Sequence, residues 1–284
     1  MTMAPGTATA GPALSTAPSL ADTYLRLVGC CEALDARVAP PGPGTAGRFS
    51  GAELTESQDT LNAFVDAEAA RIRRRGQTAR RDVAASRALH DYLWSVSLLM
   101  SGAWYLDRRV PRIQPSEVRL DLTTGAFEVT PTSDFACLPD DPAALLPGAR
   151  VLGHEEALRA ELRSAVADHV RPLLTAIGPA VRRGPRALWG MVADDLVSGI
   201  WHLGRTLGQE ERAIRDATEL LPTGIPPFPG GAGFRRLTGR EGQRYPTRTR
   251  LGCCLYYTLA PDQACLTCPR TCDAERVRRL EAAD

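Results

Sequence analysis

Gly252-Cys253-Cys254-Leu255-Tyr256-Tyr257 opens a stretch that closes, ten residues after the cysteine pair, on Cys265-Leu266-Thr267-Cys268-Pro269. The two residues between Cys265 and Cys268 let the chain turn and aim both sulfurs at one centre, the usual chelate spacing. The adjacent pair is a different problem. Successive side chains of an extended strand point to opposite faces, so Cys253 and Cys254 serve one group only on a bent backbone. Gly252 is the expected source of the bend, since glycine reaches backbone angles closed to other residues. Four thiolates bind one Zn²⁺ tetrahedrally or one 2Fe-2S cluster. The spacing is neither of the common ferredoxin patterns nor the two separated Cys-x2-Cys knuckles of a zinc ribbon, so the residues alone leave zinc and iron–sulfur both open.

The surroundings say which chemistry such a cluster serves. Eight cysteines stand at 30, 31, 137, 253, 254, 265, 268 and 272, five of them in the last 32 residues. The N-terminal stretch lacks the basic start and apolar core of a secretory signal, and no run of 18 apolar residues marks a spanning helix. A reducing, cytoplasmic setting is therefore expected, where clustered cysteines mean metal or redox chemistry rather than disulfides. The 34 basic residues, all arginine, nearly balance 33 acidic ones and leave a net charge of +1. That excludes a general nucleic-acid binder, which needs a basic excess. Without lysine there is no Schiff-base chemistry and no Walker-type phosphate site. GxGxxG, HExxH and GxSxG patterns are absent as well, so no nicotinamide or flavin site is advertised.

At 284 residues the chain holds one large domain or two smaller ones. Periodicity predicts an α+β fold: a predominantly helical body, a small central β-hairpin in an antiparallel sheet, and a C-terminal cysteine-rich cluster module. A disordered tail is expected over 1–18, the helical body over 19–233 and the module over 234–284. Helices are predicted over 19–38, 52–75, 82–106, 154–177, 186–207 and 209–220, with a breaker at 40–44 and a kink or break at Pro172. Residues 117–122 and 126–130 read as a hairpin, and 222–233 as a linker. Within a helix Cys30 and Cys31 diverge by about 100° and make a poor chelate, so small buried or half-buried residues are expected there. Cys137 reads as a structural or incidental loop thiol, His90 as a packed and satisfied histidine, and Asp194-Asp195 as exposed charge.

The pattern Cys253-Cys254-x10-Cys265-x2-Cys268, with Leu255-Tyr256-Tyr257 after the pair and Pro269 after the last cysteine, resembles the signature of the FhuF-type ferric-siderophore reductases. Upstream, Leu188-Trp189-Gly190 through Gly204-Arg205 resembles the helical region of the same family more weakly. The resemblance implies a 2Fe-2S cluster on Cys253, Cys254, Cys265 and Cys268, in a cytoplasmic enzyme. It implies one-electron reduction of Fe(III) in an imported siderophore, a hydroxamate or a catecholate, with release of Fe(II). An external electron donor such as a ferredoxin or reductase is implied too. Cys272 stands outside the four-residue motif, as a spare thiol or an alternative ligand. The competing readings are a 2Fe-2S electron-transfer or redox-sensing protein, and a zinc-stapled binding protein.

Electron transfer needs no acid–base dyad; it needs a pocket and a tuned potential. Positive charge stabilises a reduced thiolate-held cluster, and Arg248, Arg250 and Arg270 flank the ligands. The run containing Arg240, Arg244, Arg248 and Arg250 is expected to line a substrate mouth or a donor surface, or else to be a solvated loop. Tyr256 and Tyr257 shield the cluster from water or simply pack. The weak upstream likeness makes Trp189, Trp201 and His202 candidates for a pocket wall, with core packing as the alternative.

Overall fold

A computed structural model describes residues 19–40 and 47–282; the tail expected over 1–18 and residues 41–44 of the expected breaker lie outside the described residues. The fold is predominantly helical, with small mixed β-sheets at its flank. Eight helices are described: α1 (Leu20–Cys30), α2 (Glu53–Glu56), α3 (Gln58–Arg74), α4 (Arg81–Asp107), α5 (Glu155–Val181), α6 (Pro185–Thr206), α7 (Glu210–Leu220) and α8 (Asp273–Glu281). Their starts follow local chemistry. Ser19 and Asp22 form a reciprocal capping box on α1, Ser57 accepts from the Thr60 amide on α3, and His154 accepts from the Ala157 amide on α5.

Helix α4 is the axis of the body. Its 27 residues are buried almost all round, from Val83 through Leu93, Val96 and Met100 to Trp104. A helix apolar on every side must be enclosed, and α1, α3, α5 and α6 enclose it. Helix α5 runs unbroken through Pro172 to Val181, against the expected break. Val166, Val170, Leu173 and Ile177 bury one continuous stripe there, and that packing outweighs the single hydrogen bond a proline removes.

Nine short strands are described: β1 (Ala36–Val38), β2 (Arg48–Ser50), β3 (Val110–Pro111), β4 (Val118–Asp121), β5 (Phe127–Val129), β6 (Phe135–Cys137), β7 (Ala149–Val151), β8 (Phe234–Thr238) and β9 (Arg244–Arg248). The predicted hairpin is β4–β5, antiparallel with Val118 opposite Val129. The sheets themselves are mixed, which corrects the antiparallel expectation. β1 pairs parallel with β5 in the order β1-β5-β4-β2, and β6 pairs parallel with β7 beside an antiparallel β3. Parallel pairs need a long crossover, and α2, α3 and α4 supply it between β1 and β5.

Two further expectations are corrected. The first helix stops at Cys30, and residues 36–38 are strand β1. Cys137 is not in a loop; it ends β6, the middle strand of its sheet, and is fully buried. Residues 222–233 pack on the body: Phe228 is buried with Trp189 edge-on to it, and the Ala232 amide donates to the Leu221 carbonyl. Among the described residues no helix is long and apolar enough to cross a membrane.

Candidate metal centre

The cysteine loop sits on α6 through a buried lattice of charge. Asp194 and Asp195, expected at the surface, are fully buried. The Arg248 guanidinium, also fully buried, donates from Nη2 to Asp194 Oδ1 at 2.8 Å and from Nη1 to the Asp194 carbonyl at 2.8 Å. Its remaining donors go to Ser198 Oγ and the Ala232 carbonyl. Arg250 donates to Asp195 Oδ1 at 3.1 Å and lies 3.7 Å from Asp194 Oδ2. The exposed-charge reading fails because these carboxylates meet cations from a segment more than 50 residues away, which no local pattern announces. Burial pushes the Asp194 carboxyl up, and Arg248, Arg250 and the amides of Gly252 and Leu251 pull it back.

Those two amides begin the cysteine loop. The Gly252 N–H donates to Asp194 Oδ2 at 2.6 Å and the Leu251 N–H to Oδ1 at 3.1 Å. Gly252 is required by close approach, not by its backbone angle. A Cβ there would lie 2.9 Å from Met191 Cγ and 3.1 Å from the Met191 amide nitrogen. The left-handed bend that the cysteine pair needs occurs at Leu255, with φ of 66°, which corrects its expected place at Gly252. The bent backbone sends the Leu255 N–H to Cys253 Sγ at 3.3 Å.

Cys253, Cys254, Cys265 and Cys268 border one cavity of about 240 Å³. Cys253, Cys254 and Cys268 are buried and Cys265 is exposed. Arg75, Arg87, His90, Arg250, Tyr256 and Tyr257 complete most of the wall. Arg87 Nη1 donates to Cys254 Sγ at 3.8 Å, and its guanidinium lies over the Tyr256 ring, 5.4 Å from the centroid. The Nε–H groups of Arg87 and Arg250 are buried without a hydrogen-bond acceptor. Burial pushes the Cys253 thiol up to about 11, with the Leu255 amide opposing it and the Cys254 and Cys268 thiols adding to it. Among the described residues no three His, Cys, Asp or Glu side chains converge closely enough, as they stand, to hold a single ion.

Residues 250–270 match the FhuF 2Fe-2S C-terminal domain. The match begins at Arg250 and ends at Arg270, so it covers the cysteine loop and none of the helical body. No curated protein matches the chain.

The remaining sequence-predicted residues fall in several places. Arg250 lines the cavity; Arg248 is turned into the Asp194 lattice beneath it. Arg240 and Arg244 are exposed at the turn of the β8–β9 hairpin and do not border the cavity. Cys272 is exposed at the start of α8, also off the cavity wall. Tyr256 and Tyr257 are half-buried in the wall, Tyr257 beneath the Arg270 guanidinium. His90 is satisfied as expected, its Nδ1 2.8 Å from Asp195 Oδ1, yet it faces the cavity.

Sequence reasoning missed Arg87, Arg276 and the two aspartates. Arg276 of α8 is buried and donates to the Arg248 and Cys268 carbonyls, tying the tail helix to the loop. No spacing rule points to Arg87 or Arg276. Asp194 and Asp195 had one signal, two acids set inside an apolar helix pattern.

Proposed function

We propose that this protein is a 2Fe-2S ferric-siderophore reductase, in which Cys253, Cys254, Cys265 and Cys268 hold the cluster. The observation that carries the reading is the shared cavity: four thiols in the matched spacing border it, and the other charged groups in its wall are cationic. A two-iron cluster is an extended group that takes its thiolates in pairs, one pair to each iron, so it does not ask for convergence on one point. Once bound, such a cluster supplies electrons one at a time, which is what reduction of Fe(III) to Fe(II) consumes.

The chain's own residues supply the rest. The Leu255 amide and the Arg87 guanidinium donate to the sulfurs of Cys253 and Cys254, and N–H donation to thiolates stabilises added negative charge. Arg87 and Arg250, each with an unsatisfied Nε–H, act in the same direction. Tyr256 and Tyr257 limit water at the cavity mouth. A second crevice of about 400 Å³ shares His90 and Arg250 with the cavity and is walled by Trp94, Trp201, His202 and Arg205. The ferric complex is seated there, with its organic frame against the indole rings. Ferric siderophores hold a hard cation in hard oxygen ligands; reduction lowers the cation's charge and weakens those bonds, so Fe(II) leaves without an acid–base dyad.

In this assignment residues 19–233 form the substrate-binding body and 234–284 the cluster module, acting in the cytoplasm with an external electron donor. Cys272, Arg240 and Arg244 take no part at the site. The test is anaerobic purification with iron and sulfide analysis, EPR after dithionite, and then reduction of ferric hydroxamate and ferric catecholate chelates with a ferrous trap. About two irons and two sulfides per chain, with trapped Fe(II), are expected. One zinc and no sulfide would replace the reading with a zinc-stapled binding protein. A full cluster that reduces neither chelate class would leave an electron carrier or sensor.

A further inference from the structure

Between His169 and Asp194 the chain carries Arg171, Arg182, Arg183 and Arg186 and no acidic residue. The four flank the α5–α6 turn, with Arg171, Arg182 and Arg186 exposed and Arg183 half-exposed. Arginines before and after them have carboxylate partners, Arg163 with Glu156 and Arg205 with Glu210. Among the described residues these four have none. Arg171 instead lies over the Trp189 ring, 5.2 Å from its centroid.

The charge surrounds an apolar floor. A groove of about 830 Å³ runs between Arg171, Arg182 and Arg183 over Leu174, Pro179 and Trp189. A smaller hollow of about 490 Å³ continues it through Gly184 and Pro185 to Pro229 and Leu251. Leu251 is 44% exposed, one of the few large apolar side chains so placed. An apolar floor inside a polar rim, with Trp and Arg among its residues, is the usual arrangement of a protein contact.

This face abuts the cysteine loop. Leu251 stands two residues before Cys253 and rests on α6 at Gly190, where a Cβ would come within 3.3 Å of Leu251 Cβ. Neither hollow shares a lining residue with the cysteine cavity.

We infer that the α5–α6 face docks an acidic electron-donor protein, which delivers its electron beside Cys253 while the Trp94–Trp201 crevice stays open to substrate. The inference rests on the redox-centre reading above. The donor is oxidised by one electron and this chain's centre is reduced by one; no bond forms or breaks and no proton is required. Four unpaired arginines steer an acidic partner at long range, and the apolar floor provides the contact. A second copy of this chain is disfavoured there, because it brings the same positive face.

The experiment uses the full chain, a reduced acidic plant-type ferredoxin as probe, and two double variants. Arg182→Glu with Arg186→Glu reverses charge on the face. Arg240→Glu with Arg244→Glu reverses the same charge on the β8–β9 turn. Calorimetric Kd values at low and high salt give one readout, and reduction rates by ferredoxin and by dithionite give another. The face variant is expected to bind ferredoxin at least ~10-fold more weakly at low salt, with a flattened salt dependence. Its dithionite rate stays that of wild type, and the hairpin variant stays within about 2-fold on all counts. Equal weakening in the hairpin variant, or none in the face variant, overturns the inference. So does a wild-type dimer that the face variant dissolves, or tighter binding to phosphatidylserine vesicles than to ferredoxin. Failure of dithionite to bleach any form sinks the reductase reading and this inference with it. Normal bleaching with unaltered ferredoxin binding sinks the docking face alone.

Discussion

Val28-Gly29-Cys30-Cys31 and Leu251-Gly252-Cys253-Cys254 are almost the same four letters in two regions of one chain, and the fold gives them opposite tasks. In the first, Cys30 ends α1 and donates its S–H to the Leu27 carbonyl at 3.4 Å, while Cys31 lies wholly inside the apolar core. In the second, Cys253 accepts from the Leu255 amide, Cys254 accepts from Arg87, and both border a cavity with Cys265 and Cys268. Burial pushes Cys30, Cys31 and Cys253 all upward, so desolvation does not separate them. What separates them is the set of partners: Cys31 completes a core, whereas the second pair meets a cation from the distant helix α4 and two further thiols of its own loop.

The sharpest way to break this comparison is to exchange the oxygen and sulfur at each pair. Cys253→Ser or Cys265→Ser is expected to abolish stoichiometric iron. Cys30→Ser, Cys31→Ser and Cys272→Ser are expected to retain it, as read by iron and sulfide content of anaerobically purified protein. Iron lost equally from Cys31→Ser would erase the distinction.

The lattice under the second pair comes next. Asp194→Ala leaves Arg248 fully buried without its counter-charge and should cost about 3–5 kcal/mol of stability, measured by urea unfolding. Replacing Asp194 and Arg248 together by Leu and Met should cost less than Asp194→Ala, because no uncompensated Arg248 charge remains, although the Leu251 and Gly252 amides still lose their acceptor. A single substitution as mild as the pair would show that the loop is not held by this contact.

Two histidines extend the contrast between core and site. His169 is buried between the Tyr92 hydroxyl at 2.9 Å and the Ile113 carbonyl at 2.8 Å, and burial pulls its pKa down to about 4. An unfolded histidine titrates near 6.5. Between those values the unfolded chain binds a proton that the folded chain does not, so stability falls as pH drops through the window, by up to ~3 kcal/mol. His169→Gln should flatten that slope in urea titrations at successive pH values, and an unchanged slope would move the effect elsewhere.

The two glycines give the smallest effect and the cleanest control. A Cβ at Gly29 meets nothing within 4 Å, whereas one at Gly252 enters Met191. Gly29→Ala should be neutral or gain up to about 1 kcal/mol in its helix. Gly252→Ala should lose about 1–3 kcal/mol, with both read from thermal unfolding.

Much of the architecture was legible in the chain. Long apolar periodicities such as Leu89 to Met100 and Leu188 to Leu203 mark helices without help from elsewhere, and alternation around Thr123-Thr124-Gly125 marks the β4–β5 hairpin. The β8–β9 hairpin was hidden under its arginines: Tyr245 and Thr247 alternate as a strand should, but Arg248 is buried on the face where that alternation expects an exposed residue. The length of α5 was hidden by Pro172, and the strand β1 by a helical start that runs straight toward it.

By itself the sequence determined which side chains can bind a soft metal and at what spacing, because chelation by neighbouring residues is a property of the local chain. It also determined the helical class, because amphipathic period is local too. Only the tertiary structure decided that Asp194 and Asp195 are buried, that Arg248 and Arg250 neutralise them, and that Arg87 and His90 face the thiols. Those are pairings across 54 residues between Asp194 and Arg248 and 167 between Arg87 and Cys254. A buried charge is tolerable only with its partner, and a partner so distant is chosen by the packing of helices, not by any pattern the chain carries along its length.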